Sequence, residues 1–239
     1  AADNITFATG NIELADASNL TVDTGATGGD ITIAGIVGTS QETVTLDAGT
    51  GTTSVGVIGS GTEIGTLTIG SAENGGITLN GAITTDGVVT LDGPITLATA
   101  AITITTADDN INLQGTVDGG KALTLASGSG AVTVDGAIGS STALTSLTVN
   151  SSGAGTVEIA NIGTTSATGV TGSTAIGNAN TGTLTLDGTV YTTNAATYTA
   201  ATGENIDLAA SSTTTFTSTN DNITFGTATV EMGDGSNLV

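Results

Sequence analysis

The sequence predicts an all-β protein, a right-handed parallel β-helix (β-solenoid) with about 22 residues and three short strands in each turn. Three observations carry this reading. An aliphatic, polar, aliphatic triplet recurs along the whole of the 239 residues, it returns at a near-constant interval, and many copies are followed by a glycine at a fixed place. Alternation with a period of two marks a strand that buries one face, and the abundance of Val, Ile and Thr fits that backbone.

Taken one per turn, the triplets are Leu20-Thr21-Val22, Val44-Thr45-Leu46, Leu67-Thr68-Ile69, Val89-Thr90-Leu91, Ile111-Asn112-Leu113, Val132-Thr133-Val134, Val157-Glu158-Ile159, Leu184-Thr185-Leu186 and Ile206-Asp207-Leu208. Their spacings are 24, 23, 22, 22, 21, 25, 27 and 22 residues. Further triplets lie between them. Val89-Thr90-Leu91, Ile95-Thr96-Leu97 and Ile102-Thr103-Ile104 follow one another at six or seven residues, which gives each turn its three strands. Val89, Leu91, Ile111, Leu113, Val132 and Val134 are expected to stack inside, with Thr90, Asn112 and Thr133 outside.

The glycine signature covers residues 31–37, 77–83, 89–95, 111–117, 132–138 and 184–190, with Gly35, Gly81, Gly93, Gly115, Gly136 and Gly188 at the equivalent place. It reads as one corner that needs positive φ, helped by a preceding Asp or Asn. Pro94 directly follows such a corner, where a missing donor costs least. Burying an aliphatic side chain contributes roughly 1.5–3 kcal/mol. Ordering each residue costs about 1–2 kcal/mol. No turn is stable alone, so stacking is obligatory, and about ten turns at ~4.8 Å make a rod on the order of 50 Å long. Residues 164–182 hold few apolar side chains and read as an excursion from it. A β-sandwich also uses short alternating strands, but nothing in that fold calls for a beat of 22 residues.

The chain reads as a single solenoid segment, residues 1–239, and its two ends repeat each other. Residues 3–21 and 221–239 align without a gap at an offset of 218 and agree at 11 of 19 positions, Phe7 matching Phe225. They are expected to be equivalent segments of successive units of about 218 residues, joined covalently in a tandem-repeat protein or stacked as separate chains. Unpaired strand edges at the ends of a solenoid are a hazard that atypical terminal turns ordinarily cover, and no such turn is visible in either segment.

Composition narrows the function. There are 22 acidic residues against one base, Lys121, with no Arg or His, for a net charge of −21. Nucleic acid is excluded as a partner, because phosphate binding needs Lys and Arg to displace counterions. An anionic membrane surface is disfavoured for the same reason. No apolar run reaches the roughly 18–20 residues of a membrane span, and no signal-like segment precedes Ala1, so a mature or internal segment is expected. Cysteine is absent, which removes disulfides and thiolate metal sites. A chain poor in protease targets and strongly negative suits an extracellular, prokaryotic setting.

The segment Asp108-Asp-Asn-Ile-Asn-Leu-Gln-Gly-Thr-Val-Asp-Gly-Gly-Lys-Ala-Leu-Thr-Leu-Ala, continuing to Gly139, resembles the repeat regions of filamentous haemagglutinin-like large exoproteins, bacterial surface proteins built of β-strand repeats. The resemblance extends over nearly the whole chain. It implies a β-solenoid, secretion to the cell surface, and a role in adhesion or fibre formation.

Catalysis has little to work with. Lys121 stands alone in a double-glycine corner, Asp108 and Asp109 are adjacent rather than facing across a groove, and no catalytic or cofactor-binding residue is assigned. For metals the candidates are Asp23, Asp47, Asp92, Asp118, Asp135 and Asp187, each after a strand. The calcium β-roll nonapeptide is absent, so they read as corner formers, with calcium between neighbouring rods a weaker reading and no cofactor assigned. Sequons at Asn4, Asn19, Asn150 and Asn222 need no explanation in a chain so rich in Thr and Ser. Tyr191 and Tyr198 are the only tyrosines, candidates for a sugar platform or for packing. A central Thr in most triplets suggests ice binding, but the polar position drifts to Asn, Glu and Asp. The expectation is therefore a non-enzymatic repeat unit of a bacterial surface filament or fibrous adhesin, its partners being further copies of itself and a host or neighbouring cell surface or matrix polysaccharide. The alternative is a solenoid that binds polysaccharide, calcium or ice.

Overall fold

A computed structural model describes residues 3–71, 75–99, 101–150, 155–209, 212–233 and 237–239. The described strands pair parallel throughout and no helix occurs among them, so the chain winds as a parallel β-solenoid. Three columns of strands form its faces, here numbered in the order the chain first meets them.

Face I begins at Ile5–Phe7, and its inward column passes through Ile5, Ile31, Thr53, Ile77, Ile95, Val117, Ile138, Ile162, Tyr191 and Phe216. An eleventh strand, Asn237–Leu238, pairs with Thr213–Ser218 on the same face. Face II begins at Ile12–Glu13 and passes through Ile36, Ile58, Ile83, Ile104, Leu125, Val149, Ile176, Tyr198 and Phe225. Face III begins at Leu20–Asp23 and passes through Val44, Leu67, Val89, Ile111, Val132, Val157, Leu184, Ile206 and Val230.

The nine triplets taken one per turn all lie on face III, while Ile95–Leu97 lies on face I and Ile102–Thr106 on face II. From Leu20 to Val230 the chain spends 210 residues on nine steps, about 23 per turn. Val89, Ile111 and Val132 stand in register, as do Leu91, Leu113 and Val134, and all six are buried. Thr90, Asn112 and Thr133 form the outward column between them. A parallel stack places like residues one above another, so a thin aliphatic interior is enough. On face III each buried aliphatic side chain is roofed by another aliphatic one on the next turn.

Two expectations are corrected. Of the six signature glycines only Gly93 has positive φ (139°). At the others close approach of the neighbouring turn explains the glycine: a Cβ on Gly115 would lie 2.0 Å from the Gly93 carbonyl oxygen, and one on Gly136 would lie 2.1 Å from that of Gly115. Nor do the six mark one corner, since Gly35 and Gly81 sit between faces I and II, and Gly93, Gly115, Gly136 and Gly188 between faces III and I. The second correction concerns residues 164–182, which are not an excursion. Val170–Ile176 is a strand of face II, where Thr174 replaces an aliphatic residue in the buried column. The extra length is absorbed at the corner, closed by Thr164 N–H donating to the Ala167 carbonyl, and in a register shift between Val170 and Ser173.

Candidate interface at the end rungs

Within each face an interior position is paired with the turn before it and the turn after it, whereas among the described residues the end positions are paired on one side only. On face III, among the described residues, Leu20–Asp23 pairs solely with Thr43–Asp47, and Thr229–Met232 solely with Asn205–Leu208. Phe7, 46% exposed, and Met232, 55% exposed, stand in columns whose neighbouring members Ile33 and Leu208 are buried, and Leu238 (48%) and Val239 (70%) are exposed as well. The first and last described rungs therefore present strand edges beside exposed apolar side chains, features on which a further rung can be added.

A side-chain ladder runs beside the backbone one. An Asn or Asp placed directly before a strand accepts, through Oδ1, the N–H of the equivalent residue one turn on. Asn4 accepts from Asp30 (2.8 Å), Asp30 from Thr52 (2.9 Å), Asn19 from Thr43 (3.1 Å), Asn110 from Ala131 (2.9 Å) and Asn161 from Val190 (2.9 Å). Asn222 precedes Ile223–Phe225 and Asn237 precedes Leu238, so both hold this acceptor position in the last rung. Of these, the sequence singled out Asn4, Asn19 and Asn222, and only as sequons. For Asn150 the sequon residues 151 and 152 lie outside the described residues.

The singled-out carboxylates are corner and ladder groups. Asp23 and Asp47 accept the N–H of Gly25 (2.6 Å) and Gly49 (2.9 Å), two residues on in each case. Asp118 accepts from Ser141 and Thr142 on the next turn, both at 2.8 Å. Asp108, at φ 69°, accepts from Ser129 (2.8 Å), while the Asp109 carbonyl accepts from the Thr106 hydroxyl. Asp92 ends a face III strand opposite Gly70, and Asp135 and Asp187 follow the face III strands Val132–Val134 and Leu184–Leu186. Among the described residues no three of His, Cys, Asp and Glu gather as a metal site would require. Lys121 is half-buried at the corner between faces I and II, its carbonyl accepting from Thr145 (3.0 Å).

One carboxylate escaped sequence reasoning. Glu42 is buried and accepts N–H groups of Thr39 (2.8 and 2.9 Å) and Gln41 (3.2 Å), with a further bond from the Thr39 hydroxyl. Burial pushes its carboxyl up, the donors outweigh burial, and the group is held below the ordinary glutamate range. Nothing in Gln41-Glu42-Thr43 announces this, because the room for the side chain comes from Gly38, where a Cβ would lie 2.3 Å from Glu42 Oε2.

The tyrosines are packing residues. Tyr191 and Tyr198 are fully buried and form an aromatic cluster with Phe216 and Phe225: Tyr191 stacks on Phe216 (4.9 Å, 14°) and Tyr198 on Phe225 (5.5 Å, 22°). Burial raises both phenol pKa values. The Tyr191 hydroxyl accepts from Gly188 N–H (2.8 Å) and donates to the Ile159 carbonyl (3.0 Å), whereas that of Tyr198 has no partner. Tyr191→Phe should therefore destabilise by about 1–3 kcal/mol by orphaning buried groups, and Tyr198→Phe should be neutral or stabilising. Urea unfolding of the two variants checks this, and equal losses would contradict it.

The outward column of face III runs Thr21, Thr45, Thr68, Thr90, Asn112, Thr133, Glu158, Thr185, Asp207 and Glu231. Four of the ten are not Thr, which interrupts the flat hydroxyl array that ice recognition requires. No protein-family model matches the chain, and neither a curated protein nor a solved structure is similar to it.

Proposed function

We propose that the chain is a structural β-solenoid unit of an extracellular bacterial filament or fibrous adhesin, continuing head to tail into a long fibre and catalysing no reaction. The observation that carries this is the pair of open end rungs, built from nearly the same words at residues 3–21 and 221–239. Each end offers unpaired strand edges, an apolar cross-section and an asparagine ladder that the other end is chemically suited to meet. A contact between two different surfaces that does not close on itself generates a filament. Its cost is charge, since both ends are acidic. The rod already tolerates such stacking, with Asp23 over Asp47 and Asp207 over Glu231 in register, and salt at ~0.15 M screens exposed charges beyond about 8 Å.

Electron microscopy of the purified chain, with salt raised stepwise, tests the reading. Long unbranched fibres should appear as salt increases, with a unit on the order of 50 Å along the axis. Dispersed particles with closed ends at every salt concentration would refute it.

A further inference from the structure

The two matching segments do not lie on the same faces. Ile5–Phe7, Ile12–Glu13 and Leu20–Asp23 lie on faces I, II and III, whereas Ile223–Phe225, Thr229–Met232 and Asn237–Leu238 lie on faces II, III and I. The same words are displaced by one face. The described residues hold 31 strand positions, 11 on face I and 10 on each of the others, which is ten turns and one face.

The geometry points to a second copy of this chain seated on the last rung and rotated by one face, so that a fibre advances by about 120° per unit in the frame of the solenoid. This rests on the fibre reading above. Three features select the rotation. The last described strand, Asn237–Leu238, lies on face I, and the next position in the order of faces is face II, above Ile223–Phe225. Placed there, the incoming Ile5–Phe7 continues the path without a vacant position. Because the offset of 218 has no gap, Ile5-Thr6-Phe7, Ile12-Glu13 and Asn19-Leu20 then fall together on Ile223-Thr224-Phe225, Val230-Glu231 and Asn237-Leu238.

The side chains favour the same register. The exposed Phe7 ring lands on Phe225 and extends the Tyr198–Phe225 stack. Without rotation Phe7 would stand two residues beyond the Tyr191–Phe216 column, over Thr193 and Ser218, where no ring waits. With rotation, Asn222 and Asn237 accept the N–H groups of Asn4 and Asn19 of the incoming copy, repeating the interior pattern in which Asn4 accepts from Asp30 and Asn19 from Thr43. Glu13 over Glu231 and Asp3 over Asp221 oppose it, and they make assembly depend on salt.

The chain has no cysteine, so introduced pairs report the register alone. Thr6 and Thr224 are exposed, and in the rotated stack their Cα atoms on neighbouring rungs are ~4.8 Å apart. That lies within the roughly 4.4–6.8 Å a disulfide spans. Thr6→Cys/Thr224→Cys, and independently Glu13→Cys/Glu231→Cys, should give a ladder of covalent multimers on oxidation of the fibres, collapsed by reductant. Helical reconstruction of the unsubstituted fibre should give about 120° per unit and a true repeat of about 150 Å, three units of ten turns and one face at ~4.8 Å per turn. Fibres with a true repeat of about 50 Å and no ladder would overturn the rotation and leave the fibre reading intact. An absence of fibres at every salt concentration would overturn both.

Discussion

Replacing Leu91 by Ala should cost about 2–5 kcal/mol, the range for truncating a large aliphatic side chain in a close-packed core, whereas Leu20→Ala should cost well under half as much. The side chains are identical and both point inward on face III. Leu91 is fully buried between Ile69 and Leu113. Leu20 in the first rung is half-buried, roofed only by Val44. A cavity at Leu91 is walled by turns that cannot close without breaking the ladder, because rung spacing is fixed by backbone hydrogen bonds. At Leu20 water fills the gap. Urea denaturation of the dispersed protein at low salt measures both, and equal losses would contradict the one-sided packing of the first rung. Under fibre-forming salt Leu20→Ala should become the more costly of the two for assembly, since Leu20 then lies over Leu238 of a neighbour.

Face III was legible because its column is a run of Val, Leu and Ile with one polar residue between, nine times over. Period-two alternation is strong where both inward positions are aliphatic, and stacking requires only that it return at a steady interval. Face II was less legible. At Val170–Ile176 the inward column is taken by Thr174, whose hydroxyl has no hydrogen-bond partner, so a buried position looks polar in the sequence. The register shift between Val170 and Ser173 further breaks the alternation. The signature glycines were placed correctly at corners but for a reason the structure replaces. Positive φ is a property of one residue, whereas the approach of Gly93 to Gly115 is a property of two turns about 22 residues apart, which no local pattern records. The one-face displacement of the ends was hidden for the same reason. An offset of 218 reads as whole turns until every strand between is assigned to a face.

Gly115→Ala should destabilise by more than about 3 kcal/mol, at or beyond the upper end of ordinary overpacking, while Gly61→Ala should cost only about 1–2 kcal/mol. The added Cβ at Gly115 would lie 2.0 Å from the Gly93 carbonyl oxygen and 2.2 Å from its carbon. Both are backbone atoms of the turn below, so no rotamer change relieves the clash. Gly61 has φ +83° and open space around its Cβ position, so alanine there bears backbone strain alone. An account in which the glycines serve positive φ predicts the reverse order, with Gly61 the sensitive site and Gly115 tolerant. Thermal unfolding of the two variants decides between them. The outcome also bears on the fibre. The column Gly93, Gly115, Gly136 lets the corner between faces III and I close to the ladder spacing, which parallel strands need to share hydrogen bonds from one turn to the next. A methyl group in that column would wedge adjacent turns apart at one corner and bend the rod there, so any fibres that Gly115→Ala still forms should be curved in electron micrographs, whereas those of Gly61→Ala should be straight.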